Sequence, residues 1–414
     1  MIGVMPHERN FGAATSLPAL FSCALDPRTL RAMINTRRLT LGIGFTQTLA
    51  WATTYYIPAT MSGPAAVDLG ASRSMLVGGF SVGLLVCGAV SPLVGRWIET
   101  RGGRDVLIAA PLVTAVGLGG LALTPGVIGW YLAWAITGIG MAMGLYDAAF
   151  GTIGRLLGTA ARPAIVGVTM MAGFASTVGW PSGTYLVAEF GWRWTLAVFA
   201  CVQLLVILPV VLACVPRIGQ KLDVTASTRN FAECLPEPPP HAFFWLSTYF
   251  TVRSALSSAV FVHLLVLMQG MGFTLTASVA AAAMIGPAQV GARVIDWFFG
   301  RNLSPMQAAI YGASVLPIAV FALLLGVPAP IFTVGFGGSN GVFTISRGTL
   351  PLYLFGPTGY ATRVGLLARP AMIASAIAPA LFSPIVASLP AIGVVAILGG
   401  LGVVAFGCLW MIRR

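Results

Sequence analysis

The sequence predicts an all-α membrane protein, with twelve transmembrane helices arranged as two pseudo-symmetric bundles of six. Three observations lead there. Of 414 residues, 57% are hydrophobic and only 8% are charged, whereas soluble domains carry roughly 25% charged residues. The apolar residues fall in blocks of about 20–28 between short polar joints, the length that crosses ~30 Å of hydrocarbon. Such blocks must satisfy their own backbones in the bilayer, so each reads as a helix. The basic residues also gather in alternate joints, the pattern that fixes orientation across a membrane.

Residues 1–38 read as a cytoplasmic N-terminal tail. The apolar run 13–25 is short, contains Pro18 and reaches Asp26 without a small-residue cleavage site, which favours a tail over a removed leader. Met33 stands just before the first span, so residues 1–32 are expected either to be dispensable or to lie ahead of a start at Met33. The first bundle occupies 39–214, with spans at 39–61, 74–98, 105–123, 127–151, 164–188 and 192–214. Residues 215–242 form a cytoplasmic linker, whose Pro236-Glu237-Pro238-Pro239-Pro240 cannot be a helix interior. The second bundle occupies 243–414, with spans at 243–269, 275–299, 307–326, 330–355, 364–387 and 391–412.

Charge tests this division. The joints after even-numbered spans hold Arg96, Arg101, Arg104, Arg155, Arg162, Arg217, Lys221, Arg229, Arg301, Arg347 and Arg363, whereas the opposite joints hold only Arg73 and Arg193. Both termini are therefore expected in the cytoplasm. Lys221 is the one lysine, and arginine with abundant alanine and glycine points to a GC-rich bacterial genome, hence a bacterial inner membrane. The net charge of +12 then reflects topology and contact with the lipid bilayer, not nucleic acid. The six cysteines are scattered without a C-x-x-C pair and read as small buried apolar residues. The sequence shows no metal-ligand cluster, phosphate loop or hydrolase triad, so no cofactor, metal or enzymatic activity is expected.

A weak repeat links the halves. Span 4 ends in Thr152-Ile153-Gly154-Arg155 and span 10 in Thr344-Ile345-Ser346-Arg347, both after glycine-rich runs that permit close helix approach. The joint after span 2 reads Gly95-Arg96-Trp97-Ile98-Glu99-Thr100-Arg101-Gly102-Gly103-Arg104. It resembles the G-x-x-x-D-R-x-G-R-[RK] loop of the major facilitator superfamily: Gly95, Glu99, Gly102 and Arg104 fit, while Thr100 and Gly103 replace family arginines. The resemblance implies two bundles rocking around a central cavity lined by spans 1, 4, 7 and 10. It also implies that this loop locks the cytoplasmic gate, where Arg155 and Arg347 are expected as well. The family's span-4 arginine is replaced by Trp134, and its span-5 G-P-x-x-G-G exporter motif is absent. Spans 7–8, with His263 and the run from Gly286 to Arg293, look most like the monocarboxylate and oxalate–formate porter branch.

Ionisable side chains in a bilayer are costly, about 2.5–3.5 kcal/mol on insertion scales, so they should be paired or face a wet cavity. Arg253, near the middle of span 7, is expected to bind an anionic substrate group or to pair with Asp147. Asp147 in span 4 is expected to couple transport to protons or to pair with an arginine. His263 could shuttle protons and touch substrate, or be a structural residue. Arg293 and Asp296 lie one turn apart at the end of span 8 and are expected to form a local gate pair. Gln47, Trp51, Tyr146 and Asn340 add polar and aromatic groups to the expected substrate cavity, while Tyr55 and Tyr56 fit either the cavity or the interfacial aromatic belt. The expected activity is secondary transport of a small solute, an organic anion such as a monocarboxylate, by a monomer with proton coupling. The second reading is export of drugs or metalloids on the same fold.

Overall fold

The computed structural model describes residues 27–216 and 238–413, so the expected tail up to residue 26 and most of the expected linker lie outside the described residues. All regular structure among the described residues is helical. In the first half α1 (Pro27–Ala52) and α2 (Ile57–Asp68) follow one another across a four-residue turn, then come α3 (Arg73–Arg101) and α4 (Gly103–Leu123). Next are α5 (Val127–Gly144), α6 (Tyr146–Leu157), α7 (Ala161–Ala172), α8 (Ala175–Val202) and, after a π-helical turn at Gln203–Ile207, α9 (Leu208–Cys214). The second half contains α10 (Ala242–Gly270), α11 (Leu275–Ala283), α12 (Ile285–Phe299), α13 (Pro305–Leu324), α14 (Ala329–Phe355), α15 (Tyr360–Ser388) and α16 (Ala391–Arg413).

The expected spans 39–61, 127–151, 164–188 and 275–299 are not single helices. After α1, the Thr53 and Thr54 hydroxyls bond back to the Leu49 and Ala50 carbonyls, and Pro58 has no N–H to offer Thr54. Leu145 is extended between α5 and α6, and the preceding Gly144 carbonyl accepts from Gln47 Nε2 at 2.6 Å. Pro287 cannot bond the Ala283 carbonyl, and there α11 gives way to α12. Within α8, Gly191 at φ +80° turns the chain, a conformation that glycine adopts without a steric penalty.

Eight helical stretches among the described residues are long and apolar enough to cross a membrane. Leu93, Val116, Leu132, Trp194, Leu205, Phe298 and Phe321 stand largely exposed on the outer surface. In water that surface would drive association; in lipid tails it meets a solvent of its own kind. The two halves meet along α3 and α15, α6 and α15, and where α7 touches α12 and α14. These contacts include the ends that carry the basic joints, whereas α2 at the other end packs on α3 and α8 of its own half.

Candidate functional site

Three arginines are the buried charged side chains among the described residues: Arg253, Arg293 and Arg347. All three come from the second half. Arg253 is 1% exposed between α10 and α14. Its Nη2 reaches Ser339 Oγ at 3.3 Å, its Cζ lies 5.2 Å from the Phe343 ring centre, and the Tyr249 phenol stands alongside. Nε and Nη1 have no hydrogen-bond partner. Next to it, Asn340 Oδ1 accepts from the Ser257 hydroxyl at 3.0 Å, which leaves the asparagine NH₂ free to donate elsewhere.

Arg293 projects from α12 toward the first half and is 4% exposed. Nη2 is 3.5 Å from Thr344 Oγ1, while Nε and Nη1 have no hydrogen-bond partner. Its guanidinium rests on the joint between α7 and α8, where a Cβ on Gly173 would overlap Nη1. The phenols of Tyr56 and Tyr146 are close enough for its charge to act on them. The expected Arg293–Asp296 pair is not formed. One helical turn brings the two together in sequence only, because the Arg293 side chain is drawn inward to Thr344 while Asp296 stays half-buried without an ion pair.

The other expected pairing is also different. Asp147 is held by Arg347 and not by Arg253: Arg347 Nη2 donates to both carboxylate oxygens, at 2.9 and 2.7 Å. Asp147 sits in the first turn of α6, where the break at Leu145 exposes a helix N-terminus that favours negative charge. Arg253 instead remains inside its own half against Ser339 and Phe343.

Facing these charges is an aromatic wall from the first half. Trp51 is 4.9 Å, ring centre to ring centre, from both Tyr55 and Tyr146, and Tyr146 stacks on Phe150 at 5.2 Å. Tyr55 meets Phe80 at 5.1 Å and Tyr56 meets Trp180 at 5.6 Å. Tyr55 and Tyr56 are thus part of this aromatic cluster. Gln47 is turned away from the wall, with its amide on Gly144. His263 is held by α15: its Nε2 lies 3.0 Å from the Pro379 carbonyl, which can only accept, so the proton is on Nε2.

At the basic end, Glu99 Oε2 accepts from the Ala361 N–H at 3.2 Å, and a Cβ on Gly95 would come within 2.5 Å of the Ala361 carbonyl oxygen. Gly102 takes φ +100° to let α4 start directly after α3. Arg155 donates to the Ile98 and Glu99 carbonyls, and Arg104 donates to those of Val215 and Leu212. Two residues not singled out from the sequence join them. Arg162 of α7 donates to the Gly300 and Leu303 carbonyls at 2.8 and 3.0 Å, bridging the halves. Tyr360 donates to the Gly348 carbonyl at 2.6 Å and packs where Gly154 has no side chain. Arg162 was visible only as another basic joint residue, with nothing to mark its partner.

Residues 40–366 match the family model described as Major Facilitator Superfamily. The chain belongs to this superfamily. It is 26% identical over 316 residues to an uncharacterized 38 kDa protein in the 23S RNA operon of Thermoproteus tenax, covering 75% of this chain and 78% of the relative. Its fold is similar to that of the human organic anion transporter MFSD10, with 17% identity, a TM-score of 0.71 and coverage of 90% of this chain and 99% of that one. The proton:xylose symporter XylE bound to 6-bromo-6-deoxy-D-glucose matches at 13% identity and TM-score 0.72, covering 92% and 96%. FucP in the outward conformation matches at 11% and 0.64, covering 92% and 99%. At such identities these likenesses establish the fold alone. As a major facilitator, the protein is a multi-pass membrane transporter of small solutes.

Proposed function

We propose that this transporter carries an organic anion, such as a monocarboxylate, across the bacterial inner membrane by alternating access. In this reading it works as a monomer of twelve spans, with bundles at 39–214 and 243–414 joined by a cytoplasmic linker and with both termini inside. One observation carries the substrate class: among the described residues Arg253 and Arg293 are buried without an acidic partner, and Arg293, unlike Arg253 with its neighbouring Tyr249 phenol, has only the Thr344 hydroxyl beside it. A guanidinium in a bilayer needs an acceptor, and its planar fork matches a carboxylate. Arg293 moves from the gate into the binding site, with Thr344, Tyr56 and Tyr146 as its neighbours.

Asp147 and Arg347 form the gate between the halves, supported by Glu99 on Ala361 and by Arg162 on the end of α12. With these contacts made, the basic, cytoplasmic end is closed. Protonation of Asp147 would release Arg347 and loosen that end, which is how a proton would be coupled to opening. The test is uptake into proteoliposomes, with thermal unfolding of the purified protein measured against small carboxylates, neutral sugars and cationic drugs. Protection by carboxylates that disappears in Arg293→Ala supports the reading. Protection by cationic drugs, undiminished in that variant, would favour the exporter.

A further inference from the structure

Three irregular stretches of the first half converge on one small cavity, and none of the charged residues above lies in it. The cavity has a volume of about 20 Å³. Thr54 reaches it from the turn after α1, Gly144 and Leu145 from the break before α6, and Gln203 and Ile207 from the π-helical turn before α9. The irregularities are also tied to one another. Gln47 Nε2 donates to Gly144, and Gln203 Nε2 donates to Thr53 Oγ1 at 2.8 Å.

The wall presents acceptors. Gln47 is 2% exposed, and its Oε1 has no hydrogen-bond partner. The Thr46 and Thr54 hydroxyls spend their protons on the Ile43 and Ala50 carbonyls, at 2.9 and 2.6 Å, and retain lone pairs. These acceptors call for a donor, the Thr114 hydroxyl on the same wall can donate in turn, and a volume above about 10–15 Å³ accommodates one water molecule, which does both. The space is too small for a transported solute. No acidic side chain lines it, so an unhydrated cation would lack a counter-charge.

We infer that this cavity holds one resident water, which donates to Gln47 Oε1 at the point where the breaks after α1, before α6 and before α9 meet. Interrupted helices at membrane depth persist where they line a hydrated cavity or are buried in protein. This site supplies both conditions. Its consequence is positional: by fixing Gln47, whose Nε2 holds the Gly144 carbonyl, the water steadies the break that sets the first turn of α6, and with it Asp147. The site is separate from the anion site and does not depend on the substrate assignment.

Met141 also lines the cavity while being only 2% exposed, which makes it a natural reporter. Hydroxyl radicals generated by an X-ray pulse attack side chains that touch bound water. Met141 in the purified protein should therefore be oxidised several-fold faster than Met61 and Met268, buried at 0% and 2% exposure in dry apolar clusters. Ala110→Val fills the cavity with side-chain volume without removing any of these hydrogen bonds, and it should bring Met141 down to the rate of the controls. Wild-type Met141 as silent as Met61 and Met268 overturns the proposal, whatever the variant does. Replacing sodium by choline should change neither labelling nor Tm. A loss of Tm on that exchange would assign the site to sodium and also overturn the proposal.

Discussion

Arg293 and Arg253 differ in what a substrate would gain from each. Arg293 points across the interface at tyrosines of the other half, whereas Arg253 is held within its own half by Ser339 and Phe343. Losing a charged hydrogen bond costs about 1.5–3 kcal/mol, or roughly ten- to a hundredfold in affinity. Arg293→Ala should weaken carboxylate binding by that factor, and Arg293→Lys should recover only part, since a point charge replaces a planar fork. Titrating thermal protection against carboxylate concentration measures both, and equal affinities in wild type and Arg293→Ala would remove it from the site. For the gate pair, Asp147→Asn leaves Arg347 buried without its counter-ion, a loss on the order of 3–5 kcal/mol. The double variant Asp147→Asn with Arg347→Gln should unfold at a higher temperature than the single Asp147→Asn. The sequence marks both members, through an intramembrane acid and a repeated arginine, but not their union. They lie 200 positions apart, and no local pattern distinguishes Arg347 from Arg253 as the partner.

Among the elements, the helices were readable and their interruptions were not. Apolar length identifies α3, α4, α10 and α15 because it follows directly from the thickness of the bilayer. Leu145 carries no proline or glycine signal of its own, and its break depends on a glutamine reaching from another helix. The joint at Gly173 is similar, since its glycine matters through what lies opposite. Gly173→Ala puts a carbon where Arg293 Nη1 rests, although its backbone, at φ −57°, tolerates the change. The variant should therefore insert normally and lose carboxylate protection, and full protection would show that Arg293 binds without that seat. Gly95→Val should push α3 away from Ala361 and populate the state open at the basic end. Spin labels at Trp97 and Thr358 should then report a longer distance than in the wild type, and an unchanged distance would mean that this contact does not hold the end shut.

For the whole molecule, orientation is the property most directly encoded and most simply checked. Reporter fusions after Gly219 and after Arg414 should be cytoplasmic, and one within residues 126–129 should be periplasmic. A periplasmic C-terminus would end the twelve-span topology. The same arginines that set orientation from the sequence do a second task in the fold. Arg104, Arg155, Arg162 and Arg363 each donate to backbone carbonyls at or near helix ends, where positive charge is favoured. Charge bias predicts the side of the membrane. It is silent on which basic residue bridges the halves, since that depends on how they are docked.

The placement of Trp51 has an optical consequence. Its indole nitrogen is buried with no hydrogen-bond partner, and its ring touches Tyr146, the residue before Asp147. An unbonded indole in an apolar setting emits at shorter wavelength than a solvated one. Any event that brings water or a carboxylate to that nitrogen should shift its emission to the red. With the substrate site placed as proposed, Trp51 would serve as a spectroscopic gauge of its occupancy, readable without a dye and identified by the loss of the shift in Trp51→Phe.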